Sequence, residues 1–278
     1  MTGRLRFALV VAGIAPVLLL LVPLQLLALG AIGLRPLRPA ARAVAGRLPV
    51  LFHRTLLALA GIRVVRRGQL HPGRPLLLVA NHISWLDIVV VGSLAPVSFV
   101  AKDEMRTWPV FGWLARMQRT VFIARDRRRS VGEQAGAIAS RLAAGEAIVL
   151  FPEGTTSDGH QVLPFKTALF EAARFALVEG EMERGAVQPV GLDYARAHGM
   201  ALDRAGRARF AWPGEIGLGE SLIDTFGGTA LDVVVRFGHP IELTPQSDRK
   251  AVSAQARGAI RDLLAPRSHR LDTSGHAP

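Results

Sequence analysis

Apolar and polar positions give the chain three successive textures. From Phe7 to Leu34 the only polar side chain is Gln25. As a helix those 28 residues would reach ~42 Å, against a hydrocarbon core of ~30 Å, so the segment is expected to be inserted in a membrane. Pro16 and Pro23, with Gly13, Gly30 and Gly33, argue against a straight uniform helix, because proline removes a backbone donor and kinks the helix. A tilted span and a shallow re-entrant hairpin both fit. A cleaved signal peptide competes through the MTGRLR start and the small residues Ala28 and Gly30, but the run is much longer than a ~7–15-residue signal core.

Between Pro39 and Gly61 the residues Val44, Leu48, Leu51, Phe52, Leu56 and Leu59 recur at three- and four-residue steps, with Arg42, Arg47 and Arg54 among them. This pattern predicts an amphipathic helix. A place on the bilayer surface and an ordinary core-facing place share it.

After Arg63 short β-like runs alternate with helical ones. Leu76–Ala80, Val97–Ala101, Val121–Ala124, Ala147–Phe151, Val187–Leu192 and Leu231–Phe237 are rich in Val, Ile, Leu or Phe, as strands are. Val131–Ala144 and Lys166–Val178 read as helices, and Thr244 with Pro245 can cap a last helix running to Leu264. The alternation predicts an α/β fold, a mixed sheet flanked by helices, behind an N-terminal membrane-inserted helical segment. The expected division is a membrane anchor over 1–34, a basic amphipathic helix over 35–62, an α/β domain over 63–266 and a disordered tail over 267–278.

Half of the 278 residues are hydrophobic, enough for one sizeable core. No cysteine is present, which removes disulfides, Cys-based zinc sites and thiol nucleophiles. The net charge of +12 calls for an anionic partner. No Asp or Glu precedes Asp87, whereas eleven arginines do. Basic residues bracketing an apolar run suit a lipid surface better than a duplex groove, and aromatics beside them are few, so no nucleic-acid partner is expected. Arginines flank the apolar run on both sides, which is slightly more natural with both ends cytoplasmic. The expected location is the inner (plasma) membrane, with the active site facing the cytoplasm.

Chemistry concentrates in Pro75-LLLVANHISWLD-Ile88. His82 would stand at the carboxyl end of a buried strand, the edge where open α/β sheets put their ligands, and Asp87 within the first turn of the following helix. An imidazole oriented by a carboxylate is a minimal general base. Ser84 and Asp87 alone also form an S-x-x-D capping box, which would explain the acid without catalysis.

NHISWLD at 81–87 resembles the NHxxxxD motif of the glycerolipid acyltransferase family, and FPEGTTSDG at 151–159 its FPEGTRS block. TVFIAR at 120–125 is similar to the family's FIxR segment and VQPVGL at 187–192 to its late V-P-V block. Four blocks in the family's order cover roughly 76–194. The resemblance implies that 63–266 is an acyltransferase domain, that His82 is the general base and Asp87 its orienting partner, and that Arg125 with Glu153, Gly154, Thr155 and Thr156 lines the acceptor's head group. Lys102 is a weaker head-group candidate. The implied reaction is direct transfer of a fatty acyl chain from acyl-CoA or acyl-carrier protein to the free hydroxyl of a lysolipid, with no metal and no cofactor beyond that co-substrate. No G-x-S-x-G elbow supports a serine route.

Three departures bear on the acceptor: Arg119 where the family often has glycine, Ala124 where an acid is frequent, and Thr156 where arginine is usual. The family's majority chemistry puts lysophosphatidic acid first, with nearby arginines such as Arg119 replacing the missing charge. Lyso-ornithine lipid, whose head is an amino acid, is the alternative that a neutral Thr156 suits. A non-catalytic basic membrane-binding protein is the alternative of a different class.

Overall fold

The structure, a computed structural model, describes residues 3–123, 130–179, 181–212, 217–228 and 230–265. Helix α1 (Gly3–Ala31) continues through Pro16 and Pro23. A 3-10 turn at Arg35–Leu37 reverses the chain into α2 (Arg38–Ala60), which stops at Gly61 in the left-handed conformation, φ 70°. The helices lie antiparallel: Arg6 donates to the Ala60 carbonyl (2.9 Å), and Gln25 donates to that of Ala45 (3.0 Å). Gln25 also donates to the Met117 carbonyl at 2.8 Å. The one polar residue of the apolar run is thus buried and fastens the hairpin to the α/β body.

Leu19, Leu20 and Leu27 of α1 stand 78%, 64% and 71% exposed. Both hairpin helices are long and apolar enough to cross a membrane. Helix α2 has one side that packs on the body and one apolar side that does not. Ala41, Ala45, Leu56, Leu57 and Ala60 pack inward, while Val44, Leu51 and Leu59 stay exposed.

The body continues with β1 (Ile62–Arg67), β2 (Leu76–Ala80), α3 (Leu86–Gly92), β3 (Ser98–Lys102), α4 (Phe111–Met117), β4 (Val121–Ile123), α5 (Ser130–Ala143), β5 (Ala147–Leu150), α6 (Phe170–Glu179), β6 (Gly185–Ala197), β7 (Met200–Ala201), α7 (Arg204–Ala208), α8 (Leu218–Gly227), β8 (Leu231–Phe237), β9 (Ile241–Leu243) and α9 (Arg249–Leu264). The sheet order is β1-β8-β6-β2-β5-β3-β4, with β7 and β9 also paired to β6. Strands β6, β2, β5, β3 and β4 run parallel, whereas β8 is antiparallel to β6, so the sheet is mixed.

Every residue of β2 is buried. Because successive strand side chains point to opposite faces, Leu76, Leu78 and Ala80 join a core with Val10 of α1, Leu57 of α2, Val90 of α3 and Phe226 of α8. Leu77 and Val79 join a second core with Ile138 of α5, Leu177 of α6 and Ala256 of α9. The apolar hairpin and α9 therefore cover opposite faces of the sheet.

Strands β1, β7 and β9 are additions to the runs expected from the sequence, and two expected elements, β6 and α9, differ in extent. Strand β6 extends over 13 residues, well past Leu192, because β8 and β9 pair along its length. The last helix begins at Arg249, with Asp248 accepting from the Lys250 and Ala251 amides; Thr244 instead closes a turn with Ser247. Asp248 offers the two-oxygen acceptor that the first turn needs. Residues 267–278, expected to be disordered, lie outside the described residues.

Candidate active site

Parallel pairing brings the carboxyl ends of β2, β5, β3 and β4 to one edge. The segments that leave this edge carry His82, the 151–159 block and Lys102, so two of the resembling blocks and the weaker head-group candidate come to the same edge. Arg125, beyond β4, lies outside the described residues, as does Ala124.

Asn81 fixes the end of β2. Its amide donates to the Leu192 carbonyl (3.0 Å), and its side-chain oxygen accepts from the Leu192 amide (2.8 Å), which extends the β2–β6 ladder by one side chain. His82 comes next, its ring stacked on Phe151 with centroids 4.1 Å apart, and Phe151 stacks in turn on Phe99. The Asp87 oxygen Oδ2 accepts from His82 Nδ1 at 2.9 Å. That contact assigns the ring proton to Nδ1 and leaves Nε2 as the basic nitrogen.

The same Oδ2 accepts from the amides of Ile83 (2.7 Å) and Ser84 (2.9 Å). Asp87 therefore performs the backbone half of a capping box and orients His82 at once; the two readings of this acid are not exclusive. Its other oxygen accepts from the hydroxyl of Tyr194 at 2.8 Å. Four donors surround a carboxylate with no solvent exposure, which compensates its burial. Burial and the neighbouring Asp87 charge push the Tyr194 phenol well above its ordinary value, so it remains a hydrogen-bond donor.

Glu153 does not face an open head-group space. It is buried, with one oxygen accepting from the His82 amide (3.0 Å) and the other from the Leu163 amide (3.2 Å). Desolvation pushes its carboxyl up to about 7. The carboxylate thus braces the backbone of His82 from beneath. Ser157 holds the same residue from the other side, its amide donating to the His82 carbonyl at 2.8 Å.

Gly154 adopts φ 70°, and a Cβ there would lie 2.8 Å from Lys166 Nζ. Its amide donates to the Phe151 carbonyl, closing the turn. The cation over this turn is Lys166, which the sequence presents only as a helix start. Thr155 is exposed. Thr156 donates its hydroxyl to the Trp212 carbonyl, and the Trp212 amide donates to the Ile83 carbonyl at 2.9 Å. This clasp gives Thr156 a partner within the protein.

Arg119 is not available to replace the missing arginine. It precedes β4, at the edge opposite His82, and pairs there with Glu146, which also binds Arg141. Its φ of 62° explains why glycine suits the position.

The family model described as Acyltransferase matches residues 61–193. Lyso-ornithine lipid O-acyltransferase of Brucella abortus is 47% identical, covering 95% of this chain and 96% of its own. The enzyme of the same name from Rhizobium meliloti is 43% identical over 96% of this chain and 88% of its own. The 1-acyl-sn-glycerol-3-phosphate acyltransferase of Neisseria gonorrhoeae is 32% identical over 81% of this chain and 86% of its own. The crystal structure of the 1-acyl-sn-glycerophosphate acyltransferase from Thermotoga maritima shares the fold, with a TM-score of 0.64, 23% identity, and coverage of 95% of this chain and 98% of the other.

Proposed function

Since the chain belongs to the glycerolipid acyltransferase family and acts on lysolipids, we propose that its acceptor is lyso-ornithine lipid and its donor an acyl thioester, acyl-CoA or acyl-carrier protein. The observation that carries the acceptor is Thr156, a neutral residue whose hydroxyl is committed to the Trp212 carbonyl. A missing bidentate arginine typically forfeits ~1.5–3 kcal/mol of charge-assisted bonding, roughly a ten- to hundredfold loss for a phosphate. Arg119, paired with Glu146 at the far edge, cannot make up that loss. The two relatives matched over nearly the whole chain carry the same acceptor in their names. Lysophosphatidic acid, first by sequence alone, thereby becomes the second reading.

In the reaction, His82 Nε2 takes the proton of the acceptor hydroxyl. The oxygen attacks the thioester carbonyl, the carbon–sulfur bond breaks, and the imidazolium returns the proton to the leaving thiolate. Asp87 holds the ring and offsets the imidazolium charge. Glu153 acts beneath His82 rather than on the head group, which falls to Lys102, Arg125 and the 154–156 turn. The α1–α2 hairpin inserts in the inner membrane with the site on the cytoplasmic side, within the expected 1–34 and 35–62 divisions.

An acyl-transfer assay on membranes, offering lyso-ornithine lipid and lysophosphatidic acid side by side, tests the assignment. Preferred acylation of lyso-ornithine lipid is expected; turnover of lysophosphatidic acid alone would reverse it.

A further inference from the structure

At the carboxyl edge of the sheet, beside α9, lies a cavity of about 400 Å³ whose lining includes neither His82 nor the head-group candidates Lys102, Gly154, Thr155 and Thr156. Asn81 and Ile83, the neighbours of His82, form part of its lining, together with Arg207 of α7 and Arg257 and Arg261 of α9. Its one carboxylate, Asp193, is held by Arg236 at 3.0 Å and Arg207 at 3.6 Å, so the excess charge is positive. Arg257 is oriented by donating to the carbonyls of Leu163 (3.0 Å) and Val162 (2.8 Å). Among the described residues neither Arg257 nor Arg261 pairs with a carboxylate, and the buried Arg207 Nε has no partner.

The position selects the ligand. Helix α1 packs on the first core through Phe7, Val10 and Ile14 and leaves Leu19, Leu20 and Leu27 exposed, whereas α9 belongs to the second core. A lipid acceptor approaches from the apolar hairpin; the arginines that line the cavity come from α7 and α9 and none from the hairpin, although Ile83, Leu192 and Tyr194 of the first core also reach its lining, so a water-soluble donor fits it better. Guanidinium forks match phosphate oxygens in geometry and charge. We propose that this cavity is the anion subsite of the thioester donor and takes a phosphate group of its pantetheine-bearing carrier. The inference rests on the acyl-transfer reading.

Full-length Arg261→Ala and Arg261→Glu proteins in detergent test it, since Arg261 is exposed and its removal leaves the core intact. Donor KM should rise about tenfold, the worth of one charge-assisted partner, with kcat and acceptor KM unchanged, and Arg261→Lys should restore part of the loss. A rise with both acyl-CoA and acyl-carrier protein places the shared pantetheine phosphate in the cavity; a rise with acyl-CoA alone places the nucleotide phosphates there. Calorimetric binding of coenzyme A, which needs no turnover, should weaken in parallel. Unchanged donor KM and coenzyme A binding in Arg261→Glu, beside an active unmodified protein, overturns the subsite and leaves the transfer reading standing. A rise in acceptor KM instead assigns the cavity to the lipid head and overturns it equally. Absence of transfer by the unmodified protein refutes the transfer reading, and coenzyme A binding then still tests the cavity.

Discussion

Tyr194 donates its hydroxyl to the Asp87 oxygen that His82 leaves free, at 2.8 Å and from 107 residues further along the chain. Removing it while keeping the ring should separate positioning from packing. Tyr194→Phe should lower stability by ~1.5–3 kcal/mol, the range for a hydrogen bond to a charged group, and reduce kcat with little change in either KM. Chemical denaturation and steady-state kinetics read the two effects; an unaltered kcat would make the tyrosine purely structural.

His82→Ala should lower kcat by ~10²–10⁴-fold, the usual contribution of a general base, with near-normal folding. Asp87→Ala should lose both activity and stability, because it strands the amides of Ile83 and Ser84 and the Tyr194 hydroxyl in the core. Full specific activity in a destabilised Asp87→Ala protein would leave the acid only its capping role.

Glu153 makes stability depend on pH in a stated direction. Burial raises its folded value to about 7 from 4.5, so between those values the folded chain binds more protons than the unfolded one and stability falls as pH rises. The contribution is complete below about pH 4.5 and amounts to roughly 3 kcal/mol lost by the time pH exceeds the folded value. Glu153→Gln should flatten this part of the profile. Unfolding midpoints measured from pH 4.5 to 8 with both proteins check it, and parallel profiles would remove Glu153 as the cause.

Gln25→Leu should loosen the hairpin without releasing it. The change leaves the Ala45 and Met117 carbonyls unsatisfied, at ~1–3 kcal/mol each, offset in part because Gln25 Oε1 has no partner among the described residues. Thermal unfolding in detergent should start earlier. The protein should still sediment with membranes after a high-salt wash, because burial of apolar surface is not screened by salt. Release of either protein by salt alone would contradict insertion.

How far the fold and the site were legible in the sequence depends on the range over which each signal acts. Buried-strand composition marked Leu76–Ala80 and Ala147–Phe151, and the NHISWLD spacing placed His82 and Asp87 within reach, because strand ends and helix first turns are local. Tyr194 carried no such signal: its partner is set by the β2–β6 register. The resemblance assigns Glu153 to the head group, whereas its burial, with bonds to the His82 and Leu163 amides, comes from the way 151–163 folds back on His82. Arg119 is close to the FIxR segment in sequence yet sits at the wrong edge, since β4 carries the chain from one edge of the sheet to the other. Insertion of β8 between β1 and β6 is likewise decided by distant pairing.

Asn81 grips Leu192 across 111 residues of chain, and this bears on the order of events during synthesis. The two apolar helices leave the ribosome first, and the strand that carries His82 emerges after them. The polypeptide must extend past β6 before that strand has both its neighbours and Asp87 its fourth donor. At translation rates of ~5–20 residues per second, several seconds separate emergence of the hairpin from assembly of the chemistry. On the proposed insertion, the nascent chain would meet the lipid phase before the His82–Asp87 pair is assembled, and its destination would be settled before its chemistry.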